Sequence, residues 1–158
     1  MRLTRRVETL IETDRATIFD ILADLRHYGD WLPHSLVFKG TTAISPGPIG
    51  VGTTYVETSP WGTRRGVVTV IDRPDRIAYW QPMTLSPRWL GTVFVRVEDS
   101  LAPVGFSTLL RRDLQLRFRG VVTLAAPIVA RSFVSEIERI QKWLKSHAEA
   151  RTAAAAVT

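Results

Sequence analysis

The chain has 158 residues, 45% hydrophobic and 23% charged, which suits one ordinary globular domain. It has no cysteine, so disulfide frameworks and thiolate catalysis are excluded. The net charge is +6, and of 21 basic residues only Lys39, Lys142 and Lys145 are lysine. The arginines spread from Arg2 to Arg151 without a dense block. This reads as compositional bias and not as a nucleic-acid footprint, so no nucleic-acid partner is expected. The opening MRLTRRVETLIETD carries no apolar run after its basic residues, and nowhere do ~18 apolar residues follow one another. A cytoplasmic location is expected, and transient membrane contact stays open.

In chain order, LTRRVETLIET reads as a first strand, with imperfect period-two alternation through Val7, Thr9 and Ile11. The period then switches. Asp14 is placed to cap a short helix whose Ile18, Leu22 and Leu25 share one face. A second short helix runs through RHYGDWL until Pro33 prevents continuation. From residue 36 the pattern is strands and turns. SLVFKGTTAI is a strand, SPGPIGVGT is punctuation, and TTYVETSP, GTRRGVVTVIDR, RIAYWQPM, LGTVFVRVED and FSTLLRRDLQLRF are further strands, seven in all. The short loops between them suit antiparallel neighbours.

The chain closes with a long amphipathic helix from about Leu124 to His147. Its apolar stripe is Val129, Phe133, Ile137, Ile140 and Leu144, at spacings of four, four, three and four. Pro127 falls in its first turn, where a missing N–H costs least. The remainder, ARTAAAAVT, lacks apolar periodicity, so residues 1–148 are expected to form the domain and 149–158 a disordered tail. A long helix with one apolar face needs an apolar surface to lie on, and the concave side of a curved antiparallel sheet supplies it. The fold class is therefore α+β, a seven-stranded curved antiparallel sheet around the long C-terminal helix. The space between them is either filled or kept for a ligand.

The segment ETDRATIFDILADLRHYGDWLP, with Ala23, Asp24, Leu25, Tyr28, Trp31 and Pro33, resembles the opening of the START-like superfamily of polyketide cyclases/dehydrases and lipid-transport proteins, which shares the Bet v 1 helix-grip fold. GPIGVGTTY resembles that family's glycine loop, VVTVIDRPDRIAYW its Pro-containing hairpin, and EIERIQKWLKSH its closing helix. The resemblance spans roughly residues 5–147. It implies a helix-grip domain, a cavity with Trp31 at its entrance, and a small hydrophobic ligand. The superfamily mixes carriers, receptors and cyclases, so the fold does not fix the activity.

Residue by residue, Arg112 stands out. The parity of Phe106, Thr108, Leu110, Leu114, Leu116 and Phe118 points inward and puts the Arg112 guanidinium among leucines. There it needs a carboxylate, with Glu57 as a candidate, or backbone carbonyls, water or an anionic ligand group. Tyr55 shares parity with Thr53 and Glu57 and can bring a hydroxyl inward. Tyr79 and Trp80 are adjacent and must face opposite sides. Phe133 lies on the helix stripe. The expected ligand-binding residues are Trp31, Tyr55, Tyr79, Trp89, Arg112 and Phe133. The catalytic candidates are His34, Tyr55 and Arg112, His34 because an imidazole can take up and release protons near neutral pH. The three histidines are too scattered for a metal site, and no nucleotide fingerprint is present, so no metal and no cofactor is expected.

The leading functional reading is a cavity for a lipid, polyketide, quinone or isoprenoid. The alternative is a polyketide aromatase/cyclase or dehydratase acting in the same cavity by proximity and orientation. A weaker third reading is a protein-interaction module using the outward Arg111, Arg117 and Arg119.

Overall fold

The computed structural model describes residues 1–158. Strand β1 (Arg2–Ile11) leads to helix α1 (Arg15–Ala23), and a 3-10 turn follows over Leu25–Asp30. Strands β2 (Thr54–Ser59), β3 (Gly62–Asp72), β4 (Arg76–Trp80), β5 (Met83–Leu85), β6 (Thr92–Val104) and β7 (Ser107–Arg119) come next. Helix α2 (Ala126–Val157) closes the chain. The sheet is antiparallel in the order β1-β7-β6-β4-β3-β2, with β5 pairing β3 and β6. This is the expected sheet gripping a terminal helix.

Local chemistry sets the ends of α1 as the sequence implies. The Asp14 carboxylate accepts from the Thr17 backbone N–H (3.0 Å) and the Thr17 hydroxyl (2.7 Å), which satisfies a free donor of the first turn. Pro127 is the second residue of α2. β4 and β5 are one strand interrupted at Gln81–Pro82. The same register to β3 and to β6 continues on both sides, because Pro82 has no N–H to donate while its carbonyl still accepts from Arg65 N at 3.0 Å.

Three expectations about the elements are corrected. Residues 36–45 are not a strand: only a lone bridge between Thr42 and Val56 forms there, although Val37, Phe38 and Ile44 had supplied strand-like residues. The count of seven survives because β5 replaces it. Strand β6 runs on through Ser100–Val104, and the turn to β7 is only Gly105–Phe106, where Gly105 adopts φ +60°. Finally, the expected tail is helical, since α2 continues to Val157. Ala153–Ala156 are the best helix formers. The Thr152 hydroxyl lies 3.0 Å from that of Thr13, which fastens the extension beside the end of β1.

The core lies between the concave face of the sheet, α1 and the inner face of α2. β7 alternates as read from Thr108 on, with Thr108, Leu110, Arg112, Leu114, Leu116 and Phe118 all buried, but Phe106, read as inward, falls in the β6–β7 turn before the strand begins and is fully exposed. On α2, Val129, Ile137 and Leu144 are buried, and Phe133 and Ile140 pack against them. Gln141, buried on the same face, locks helix to sheet. It accepts from the Thr9 hydroxyl (2.6 Å) and donates to the Val7 carbonyl (3.3 Å). No helix is long and apolar enough to cross a membrane.

Candidate functional site

The sheet curves away from the N-terminal half of α2 and leaves a cavity of about 80 Å³ between them. Of the 24 residues that line it 18 are hydrophobic, so the polar ones decide its chemistry. Apart from Ser132 and Glu136 on α2, the latter paired with Arg139 at 2.6 Å, the polar groups, tyrosine hydroxyls included, fall into two groups.

The first is a corner on β2 and β3. Tyr55 and Glu57 stand directly opposite Gly66 and Arg64. The missing side chain at Gly66 makes the site possible, because the Tyr55 ring lies across it and a Cβ there would collide with the ring. Glu57 accepts from the Thr41 hydroxyl (3.0 Å) and lies 3.3 Å from Arg64 Nε. Arg64 Nη2 donates to the Val37 carbonyl (3.2 Å), but Nε is buried without a well-aligned hydrogen bond. Gln81, at the β4–β5 interruption, donates to the Tyr55 hydroxyl. That hydroxyl therefore accepts from Gln81, and no protein acceptor takes its own proton. Burial, reinforced by the Glu57 charge, pushes the Tyr55 phenol well above its ordinary pKa, so it stays protonated.

The second group lies under α1. The Tyr28 and Tyr79 hydroxyls both donate to the Leu22 carbonyl, at 2.5 and 2.8 Å. Burial raises both phenols. Behind them Arg112 meets Asp99 in a two-point ion pair, Nε–Oδ1 2.6 Å and Nη2–Oδ2 2.7 Å. Desolvation opposes the Arg112 charge, but Asp99 outweighs it and the guanidinium is held charged.

Of the expected ligand-binding residues, Trp31, Tyr55, Tyr79, Arg112 and Phe133 line this cavity. Trp89 does not. It sits exposed on a short turn, Arg88–Leu90, because the strand read as LGTVFVRVED begins only at Thr92. Nor does His34, an exposed residue whose ring meets the edge of Phe38 at 6.2 Å. Arg112 faces inward as read, but its partner is Asp99 and not Glu57. Trp31 is only 7% exposed and forms a wall. One side borders the cavity. The other borders an open cleft with Asp20, Asp24, His27, Asp30, His147 and Arg151, where the His147 ring stacks on it at 6.2 Å.

Arg64, Gln81 and Asp99 are not among the residues expected from the sequence. Arg64 shares parity with Gly66 and Val68, and Asp99 with Val93, Val95, Val97 and Leu101, so an inward position was readable for both. Gln81 carries no such signal, because it sits where the strand breaks. Of the outward arginines, Arg111 is paired with Glu8 (2.9 Å), Arg117 lies over the Phe94 ring (5.4 Å), and Arg119 is exposed.

No protein-family model matches the sequence, and no curated protein matches it. Solved structures do. Mll3558 from Rhizobium loti superposes with a TM-score of 0.73 at 18% identity, covering 92% of this chain and 96% of that one. Ara h 8.0201 gives 0.71 at 15%, covering 94% and 98%. A START superfamily protein from Mycobacterium smegmatis gives 0.64 at 18%, covering 94% and 97%. At these identities the likeness speaks for architecture, and the chain has the helix-grip fold of the START and Bet v 1-like proteins.

Proposed function

We propose that the protein binds a small, mainly apolar molecule carrying a carbonyl or similar acceptor in the cavity between sheet and α2. The observation that carries this reading is the Tyr55–Glu57–Arg64–Gln81 corner. It sets one buried N–H, on Arg64 Nε, whose nearest acceptor, Glu57 at 3.3 Å, is poorly aligned, and one unused phenolic proton in a mainly apolar space. Buried donors without partners are costly, and a ligand acceptor would satisfy them. Arg112 is the poorer anchor, because Asp99 already takes two of its N–H groups. The free volume is below the roughly 300–1,000 Å³ of sites for drug-sized ligands, so a polycyclic or long-chain occupant must displace lining side chains such as Phe133. The lipid, quinone and isoprenoid candidates differ in that demand.

The aromatase/cyclase alternative has less support. A general base must reach the reacting proton. His34 lies outside the cavity, Tyr55 remains protonated, and of the two lining carboxylates Glu57 is engaged by Arg64 and Thr41 and Glu136 by Arg139 and Ser35.

The test is native mass spectrometry of freshly purified protein, followed by titration with fatty acids, quinones and aromatic polyketides. At least one carbonyl-bearing class should bind in the micromolar range or tighter. Tyr55→Phe and Arg64→Met should weaken it by about tenfold or more, as loss of a buried hydrogen bond does. Absence of binding across the panel, or equal binding by both variants, sinks the reading.

A further inference from the structure

One end of the molecule carries large apolar side chains that the fold leaves uncovered. Trp89 is 68% exposed, Leu124 89% and Ile128 72%. They come from three segments that the backbone holds together: the 88–90 turn, the 121–125 turn and the first turn of α2. Gly91 and Gly120 pack face to face so closely that a Cβ on either would strike the other's segment. The β2–β3 turn joins them, since Ser86 N donates to the Trp61 carbonyl (3.0 Å). Trp61 is itself partly exposed and also lines the cavity. Isolated exposed apolar residues need no explanation, but several clustered on adjoining turns mark a contact surface.

The charged residues in these stretches of chain all have one sign. Arg88 lies on the 88–90 turn, Arg119 ends β7 just before Gly120, and Arg131 is in the second turn of α2; all three are exposed, and residues 86–91 and 117–135 contain no Asp or Glu. None of the three arginines has an ion-pair partner among the carboxylates. Tryptophan and aliphatic side chains flanked along the chain by unpaired arginines complement the boundary between anionic headgroups and acyl chains, where indole rings settle and guanidinium groups meet phosphate.

We propose that this end of the protein docks on the surface of an anionic lipid bilayer, inserting Trp89, Leu124 and Ile128 with Arg88, Arg119 and Arg131 on the headgroups. Docking turns the Trp61 side of the cavity toward the bilayer, a useful orientation for an apolar ligand. The proposal itself does not rest on what the cavity holds.

The test is co-sedimentation of the full chain with phosphatidylcholine vesicles, with and without about one third phosphatidylserine. Binding should be selective for the anionic vesicles and should fall as salt rises. Trp89→Ser/Leu124→Ser, and separately Arg88→Gln/Arg119→Gln/Arg131→Gln, should each weaken it by at least about tenfold. All five side chains are exposed, so the melting temperature should not move. Phe106→Ser, at the fully exposed β6–β7 turn on the opposite end of the sheet, should bind as the parent does. No binding to anionic vesicles, equal binding to both kinds, or binding that the patch variants leave unchanged overturns the proposal. So does a dimer in light scattering that Trp89→Ser/Leu124→Ser dissolves, because the patch is then a subunit interface.

Discussion

Arg112 and Asp99 face each other across β7 and β6, register partners joined by two hydrogen bonds at 2.6 and 2.7 Å and almost wholly withdrawn from water. Each charge is tolerable only because the other is present. Removing one leaves the second buried and uncompensated, which typically costs about 3–5 kcal/mol. Arg112→Leu and Asp99→Leu should therefore each destabilise by roughly that amount, while the double variant should return to within about 1–2 kcal/mol of the parent. Denaturant unfolding measures all three. Single variants as stable as the parent would show that the pair does not form as described. An Arg112 reserved for ligand would have left Arg112→Leu intact or stabilised, so the sign of this one number separates the two roles.

Gly66 makes a sharper claim about the site. The Tyr55 ring occupies the volume where a side chain at position 66 would begin. Gly66→Ala should cost about 1–3 kcal/mol through overpacking, and it should weaken ligand binding because the displaced phenol can no longer sit beside Gln81. Tyr55→Val removes the obstacle, so Gly66→Ala should be much milder in that background. If Gly66→Ala is equally harmful with and without Tyr55, the cost lies in the backbone and not in the ring.

Much of this architecture follows from patterns visible before any coordinates. The inward parity of β7 holds from Thr108 to Phe118, because a long central strand cannot slip one residue without exposing its whole apolar face. The α2 stripe holds for the same kind of reason. Residues 36–45 fail because strand-like composition makes a strand only when a neighbour is free to pair, and there one bridge to Val56 is all that forms. Trp89 fails because an aromatic near a strand end has no parity to orient it. The Glu57–Arg64 pair lies across two strands, and reading it needs the β2–β3 register, which the turn at Pro60–Trp61 sets.

The histidines give a pH prediction with opposite signs. The Asp24 carboxylate, through a hydrogen bond and its charge, raises the exposed His27 above its ordinary value. His27 therefore adds stability that is present below pH ~6.5 and lost as pH rises through its folded pKa. Desolvation, aided by Arg151, lowers His147 against Trp31. The unfolded chain then takes up that proton first, so the contribution of His147 is present above pH ~6.5 and lost as pH falls toward its folded pKa. Across the cleft Asp30 pulls His147 the other way, but less strongly. Proton NMR should find His27 titrating above His147, and His147→Gln should flatten the acid limb of the stability curve. The reverse order of titration would mean that His147 does not stack on Trp31.

The distinction between packed core and cavity wall can be read on α2 itself. Leu144 and Phe133 lie on one stripe, yet Leu144 is fully enclosed and does not border the cavity, while Phe133 lines it and stays partly exposed. Truncating an enclosed leucine removes transfer energy and leaves a void, so Leu144→Ala should cost about 2–5 kcal/mol. Ile137, buried but bordering the cavity, should fall at or just below the low end of that range. Phe133 gives up fewer contacts because open space already lies on one side, and Phe133→Ala should cost less than Leu144→Ala despite removing more atoms. The same truncation should enlarge the cavity and shift the preference in the ligand panel toward bulkier members, which Leu144→Ala should not do. Unfolding curves and titrations on the three variants decide it. Should Phe133→Ala prove the most damaging and admit nothing larger, Phe133 is a core residue, and the space beside it is not where a ligand goes.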